Sequence, residues 1–404
     1  MQRNSVSLSS ILKVGTQNRG KSTALLRRYL RDNLQVEVET VGTVQESIPA
    51  DEREKVQQLI DSYKGLVFSE DKIGSVNMSP IHLEVDPNYV PPQPQFHNTP
   101  IHYQEQLSDH LQFLRDQNAM IDIDPSDSQT YECAVVNTVI TDKKDDQIRM
   151  NLDTTPWNPG MKRTKFHVQT PQEIRHELKE AKIFTEMDMG WAYHQLPIDE
   201  ETKNRSVFQT HEGVHRMEVL YFGPTASCGI FHDAVRKKLR GLKGARNIYD
   251  NFIVWGNDFE EHYDNLSACL ERCAKEGIIL KTSKTHTCLN KIKWFGRTFT
   301  SQGVTVDQDK INAIVAEGRP ENTEDVRSFL MACQYNAKFL FDSPDINETY
   351  EEVTAPLRAL LKKDVRFTWS EEQETAYVKL HTLMESPATL RPYRLGLPTH
   401  YVAD

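Results

Sequence analysis

From residue 182 onward the chain sets short β-like runs between single helices without placing a helix after every strand. KIFTEMDM reads as a strand, and HQLPI and SVFQT continue β structure. RNIYDNFIVWG reads as two short strands around a two-residue turn, and 291–306 returns to strands. These runs carry the apolar, β-branched and aromatic residues that fit a pleated surface. Their irregular alternation with helices favours an α+β fold over a regular parallel one. Upstream, ECAVVNTVITD and QIRMNLD flank the polar turn DKKDD and predict a hairpin. Pro87, Pro91, Pro92, Pro94 and Pro100 forbid helix and sheet interior and predict an extended linker over 87–100. Helices are predicted over 51–65, 102–118, 171–181, 228–243, 258–276, 322–342 and 350–363. In 258–276 one stripe holds Phe259, Leu266, Cys269, Leu270 and Cys273. There is no internal repeat.

Composition bounds the function. The 404 residues suffice for two to four domain-sized units, and 16 Phe, 14 Tyr and 5 Trp can build cores despite 26% charged residues. No apolar run approaches the ~18 residues of a membrane span. The start, MQRNSVSLSSILKV, lacks the pattern of a secretory signal. Six Cys form no disulfide framework, so a reducing compartment is expected. The net charge of -10 argues against a uniformly basic nucleic-acid coat but leaves room for a local basic groove. RKKLRGLKGAR, residues 236–246, holds six basic residues and no acid. It suits either a phosphate backbone or a solvated helix end. Tyr249, Trp255 and Trp294 are available for base stacking, though core packing serves each better.

Two carboxylates stand out. Asp188 ends a strand, and Asp250 with Asn251 sits between two apolar runs, where Asp-Asn suits a tight turn. Two such carboxylates brought side by side would hold divalent cations for an in-line phosphoryl transfer. By spacing alone, a purely structural turn is the better reading.

The ordered blocks say more. QIRMNLD, KIFTEMDMGWAYHQLPI, VFQTHEGVHRMEVLYFGPTAS, RNIYDNFIVWG, GIILKTSKTHTC and IKWFGRTFTSQGVTVDQDKINAI stand in sequence. VRSFLMACQYNAKF and APLRALLKKDVRFTWSEEQETAYVKL follow them. Together they resemble the reverse transcriptase region of a gypsy-type LTR retrotransposon Pol polyprotein, over roughly residues 78–404. The resemblance implies a right-hand polymerase with fingers, palm and thumb plus a connection region. It divides the chain into a leader and helix (1–77), fingers and palm (78–300), thumb and connection (301–390), and a truncated RNase H start (391–404).

It also implies roles. Asp188 and Asp250 would be the metal-binding carboxylates for two Mg²⁺ or Mn²⁺ ions. Lys284 would sit near the leaving pyrophosphate as a proton donor, its alternative being a surface lysine. Arg149, with Lys143 or Lys144, would clamp the triphosphate. Tyr193 would lie under the incoming sugar, while Phe222 and Gly223 would line the nucleotide pocket. Trp294, Phe295 and Gly296 would shape the primer grip, or simply pack in a sheet. The implied partners are an RNA or DNA template with its primer and deoxynucleoside triphosphates, with no membrane, in the cytoplasm. The end, LPTHYVAD, resembles the first strand of an RNase H domain with Asp404 as its opening carboxylate, and implies a piece of a polyprotein without RNase H, protease or integrase.

Three departures matter. The family writes Y-x-D-D where this chain has Ile248, Tyr249, Asp250 and Asn251. The tyrosine is displaced by one place, and an amide replaces the second carboxylate. Pro224 stands where leucine is usual, and the following Asn-Ala-Pro is missing. Loss of one anion beside two dications is expected to cost a few kcal/mol of transition-state stabilisation, ~10²–10³ in rate. A catalytically silent nucleic-acid-binding protein is the alternative. Two other signals compete. GTQNRGKS, residues 15–22, fits a phosphate-cradling loop with Lys21. About 60 residues are too few for the parallel sheet it needs. Cys269, Cys273, His286 and Cys288 have no familiar zinc spacing, and core packing accounts better for the cysteines.

Overall fold

The computed structural model describes residues 49–385 apart from 93–94, 125–134, 143–147, 163–172, 174–176, 179, 295, 301–302, 342–347 and 364. These residues fall in one compact unit, Val44–Asp404. The GTQNRGKS stretch, Lys143, Lys144, Phe295, Asp404 and most of the helix expected over 171–181 lie outside the described residues.

The order of elements begins with α1 (Ala50–Ser62) and α2 (Ile101–Asp116) around the proline-rich linker. There follow β1 (Met120–Ile123), the hairpin β2 (Thr138–Asp142) and β3 (Ile148–Leu152), and β4 (Ile183–Met189). Next come α3 (Glu200–Asn204), β5 (Phe208–Thr210), β6 (Gly213–Met217) and α4 (Ser227–Lys238). The chain then forms β7 (Ala245–Ile248), β8 (Asn251–Gly256), α5 (Phe259–Glu276) and β9 (Leu280–Leu289). It continues through β10 (Lys291–Trp294), β11 (Arg297–Thr300) and β12 (Gly303–Val306). Four helices follow: α6 (Gln308–Ala316), α7 (Thr323–Phe341), α8 (Tyr350–Ala359) and α9 (Glu371–Glu385).

Among the described residues the strands form sheets ordered β7-β8-β4-β9, β1-β6-β5, β10-β11-β12 and β2-β3. Every pairing between these strands is antiparallel. The fold is thus α+β, as the irregular strand pattern predicts. Two stretches differ from the sequence reading. Ala192–Gln195 makes a 3₁₀ turn rather than a strand, because Trp191 takes a positive φ of 52°. The helix expected to reach 243 stops at Lys238, short of the positive-φ residues Gly241 and Gly244.

The four-stranded sheet is buried on both faces because its strands alternate. Met187 and Met189 of β4, with Phe252 and Val254 of β8, pack into a core shared with α4 and α5. Phe184, Ile253 and Trp255 face a second core built with β10 to β12 and helices α6 to α9. The local signals that set α5 are legible in its sequence. The Asp258 carboxylate accepts the Glu261 amide at 2.9 Å, and Gly277 closes the helix in the left-handed conformation. Its stripe of Phe259, Leu266, Cys269, Leu270 and Cys273 is buried as predicted. The two cysteines therefore fill core. His286 is exposed on β9, and no group of three or more His, Cys, Asp or Glu placed to share a metal ion occurs among the described residues.

Candidate active site

Period-2 alternation carries Glu186 and Asp188 onto the face of β4 that Phe184 occupies at its other end. That face is covered at Phe184 and opens at Asp188, so one strand runs from core into cleft. Asp188 stands opposite Asn251 in the register of β4 and β8. Burial raises its carboxyl above the usual range, and Lys284 and Asp250 then pull it in opposite directions. Burial, followed by the charge of Asp188, pushes Glu186 up to about 7.

The turn that delivers Asp250 differs from the one the sequence suggests. Ile248 pairs with Asn251, so the two turn residues are Tyr249 and Asp250, and Asn251 begins β8. Tyr249 takes the positive φ, 52°. This costs a non-glycine residue free energy and persists only when neighbours hold it. Three contacts do so. The Tyr249 amide donates to Nδ1 of buried His232 at 3.2 Å. Nδ2 of buried Asn247 donates to the Tyr249 carbonyl at 3.2 Å. The Met189 amide donates to the Asp250 carbonyl at 2.8 Å, tying the turn to β4 one residue past Asp188.

Lys284 arrives by a bulge. Glu186 pairs with His286 and Asp188 with Lys281, so β9 carries extra residues between those positions. The bulge is braced by Glu70, which accepts from the Ser283 amide at 2.6 Å and its hydroxyl at 2.8 Å. It swings Lys284 Nζ to 3.2 Å from Asp188 Oδ2. Behind it, Gln195 donates to the Gly190 carbonyl at 2.5 Å and the Ile279 carbonyl at 2.7 Å, and accepts from the Ile279 amide at 2.8 Å. This buried amide locks the chain after β4 to the start of β9.

Asp188, Asp250, Lys284, Arg149 and Phe222 share one cleft of ≈ 140 Å³ with Lys281, His110, Trp191 and His194. Its aromatic wall is continuous. Trp191 stacks on Phe113 at 4.6 Å, lies 5.6 Å from His110 and meets His194 edge-on. Tyr193 sits half-buried just behind, stacked on Phe231 at 4.9 Å and 4.3 Å from Phe222. Burial raises its hydroxyl well above its ordinary value. Gly223 has φ +127°, and a Cβ there would meet the Leu152 carbonyl at 2.3 Å. Only glycine lets this loop close on β3. Asn158 clamps the same loop, donating to the Gly223 carbonyl at 3.3 Å and accepting from the Thr225 amide at 2.9 Å.

Gly296 is not among the described residues that line this cleft; it lies at the turn joining β10 and β11, where the backbone of Trp294 pairs with Arg297. Sequence reasoning missed Lys281, His110, Trp191 and His194 as lining residues, and His232, Asn247 and Asn158 as supports. Only the GWAYH segment beside Asp188 gave a local signal for two of them.

Residues 120–299 match the family described as reverse transcriptase (RNA-dependent DNA polymerase). The transposon Tf2-7 and Tf2-3 polyproteins of Schizosaccharomyces pombe are each 24% identical over 253 residues. That stretch is 62% of this chain and 18% of either polyprotein, so the chain spans about a fifth of the length of the curated relatives it matches. Among solved structures, the foamy viral protease-reverse transcriptase dRH in complex with ds DNA superposes with a TM-score of 0.75 at 18% identity. The likeness covers 86% of this chain and 59% of that one. The foamy viral protease-reverse transcriptase in complex with dsDNA also gives 0.75, at 17% identity, covering 92% and 74%. The fold is that of a right-hand polymerase, and within it residues 120–299 are similar to the reverse transcriptase family.

Proposed function

We propose that this chain acts as an RNA-directed DNA polymerase of retrotransposon origin. The observation that carries the reading is the meeting of Asp188 and Asp250 in one cleft with three cations, Arg149, Lys281 and Lys284. Two hard-oxygen side chains at a strand end and a hairpin turn suit Mg²⁺ or Mn²⁺, and the Lys284 ammonium already seeks the Asp188 carboxylate. Asp188 and Asp250 would hold two such ions, which would acidify the primer 3′-hydroxyl and neutralise the phosphates.

The chain's own groups position the rest. Arg149, Lys281 and Lys284, with Lys143 or Lys144, hold the triphosphate. Tyr193, braced by Phe231 and Phe222, lies under the sugar and discriminates against a 2′-hydroxyl. Gly223 lets the pocket floor close. The 3′-hydroxyl loses its proton to water and its oxygen bonds to the α-phosphorus. The bond from that phosphorus to the bridging oxygen breaks, and Lys284 Nζ gives a proton to the leaving pyrophosphate. Trp294, Phe295 and Gly296 grip the primer, and residues 301–390 serve as thumb and connection. Template, primer and deoxynucleoside triphosphates are the partners, in the cytoplasm.

Asn251 opposite Asp188 favours a second reading, a silent polymerase that binds primer–template without extending it. Primer extension on an RNA template with Mg²⁺ and with Mn²⁺, beside Asp188→Ala, decides. Extension that vanishes in the variant supports polymerisation. Binding without extension under either ion supports the silent protein.

A further inference from the structure

Beyond the cleft, a second cavity of ≈ 470 Å³ opens where α4 ends and β7 begins. It is lined by Arg236, Lys237, Arg240, Arg246 and Asn247 among others, and it shares no residue with the carboxylate cleft. Its cations belong to the 236–246 stretch, six basic residues without an acid in a chain of net charge -10. We infer that this groove binds the phosphate backbone of a nucleic-acid strand, outside the polymerase cleft.

The electrostatics have been prepared for an anion. A helix C-terminus exposes carbonyls and would repel phosphate. Here the Arg272 guanidinium caps them, donating to the Lys238 carbonyl at 2.6 Å and the Arg240 carbonyl at 3.2 Å. Arg246 neutralises the following loop in the same way, donating to the Leu242 carbonyl at 3.2 Å and the Ala245 carbonyl at 2.7 Å. Two carboxylates flank the groove. Asp233 pairs with Arg236 at 3.4 Å and Lys237 at 2.7 Å, and Glu177 pairs with Arg246 at 2.9 Å. Arg240 has no carboxylate partner among the described residues, so positive charge is left in surplus.

The shape selects a polymer over a small ligand. Arg236 and Lys237 keep 44% and 70% of their side-chain surface exposed. Arg236 stands in the last turn of α4 and Arg240 two residues beyond its end, and both are exposed along the groove. Such exposed, spaced cations make successive backbone contacts rather than enclose one phosphate. The groove also borders the catalytic turn. Asn247 lines it and donates to the Tyr249 carbonyl one residue before Asp250. A strand lying there would be held beside the hairpin without entering the cleft.

The test uses the full chain and a fluorescein-labelled 24-base-pair DNA duplex, followed by anisotropy across a salt series in EDTA. Without metal or nucleotide, the outcome is independent of polymerase activity. Arg236→Gln/Arg240→Gln is expected to bind roughly tenfold more weakly at 0.1 M salt, with the slope of log K against log salt smaller by about 1.8. Arg236→Lys/Arg240→Lys restores most of both, because backbone phosphates accept point charges. Thermal melting confirms that the variants remain folded. Unchanged affinity and slope in the double glutamine variant would overturn the inference. So would an equal loss of binding to poly-glutamate, which would mark the groove as a site for acidic peptides.

Discussion

The strained amide of Tyr249 is held by Nδ1 of His232, 3.2 Å away and 1% exposed. Two residues from different elements thus fix the direction of the turn that carries Asp250. Removing the acceptor strands a backbone donor in a positive-φ turn. His232→Leu is expected to lower stability by ~1–3 kcal/mol in urea unfolding. His232→Asn, whose Oδ1 approximates Nδ1, is expected to recover at least half. Equal losses in the two variants would assign the effect to packing alone.

Asn251 faces Asp188 across β4 and β8. Asn251→Asp is expected to raise Mg²⁺-dependent extension by ~10²–10³. Without metal, the new charge opposite Asp188 should destabilise the sheet by up to ~1 kcal/mol. Added Mg²⁺ should then raise the melting temperature of the variant more than that of the parent. No gain in either measurement would show that Asn251 limits neither metal binding nor extension.

Gly223 joins positive φ to a backbone contact that admits no Cβ. Gly223→Ala is expected to cost ~2–4 kcal/mol, because neither the Leu152 carbonyl nor the loop can retreat freely. Denaturant unfolding measures it. A loss below ~0.5 kcal/mol would show that the loop relaxes.

His262 is fully buried, its Nε2 2.9 Å from the Thr185 hydroxyl, and burial lowers its imidazole to about 4. The unfolded chain binds this proton below about 6.5, while the folded chain refuses it until about 4. Stability should therefore fall as pH drops from about 6.5 to about 4, by ~3 kcal/mol from this group. His262→Gln should flatten that part of the pH–stability curve. A slope that survives the substitution would assign it to other groups.

Much of this was legible from residues alone, and the reason is locality. Asp258 and Gly277 bound α5 by their own chemistry, and its apolar stripe identified the buried face. The runs around Asp250 announced a hairpin because turn geometry acts over four residues. The turn itself was misread by one position. Its register is set by Asn251 pairing with both Ile248 and Asp188, which no local preference reveals.

The amino-acid sequence by itself determined much of the strand and helix inventory, the ordered blocks that resemble a reverse transcriptase and the two carboxylates that meet in one cleft. Tertiary structure alone decided what surrounds them. Lys281 stands opposite Asp188 by strand register and Lys284 reaches it through a bulge, His110 comes from a helix before β1, and His232 grips a turn seventeen positions away. Such contacts depend on how separate elements pack, and packing is settled by the whole chain's buried surface rather than by any segment.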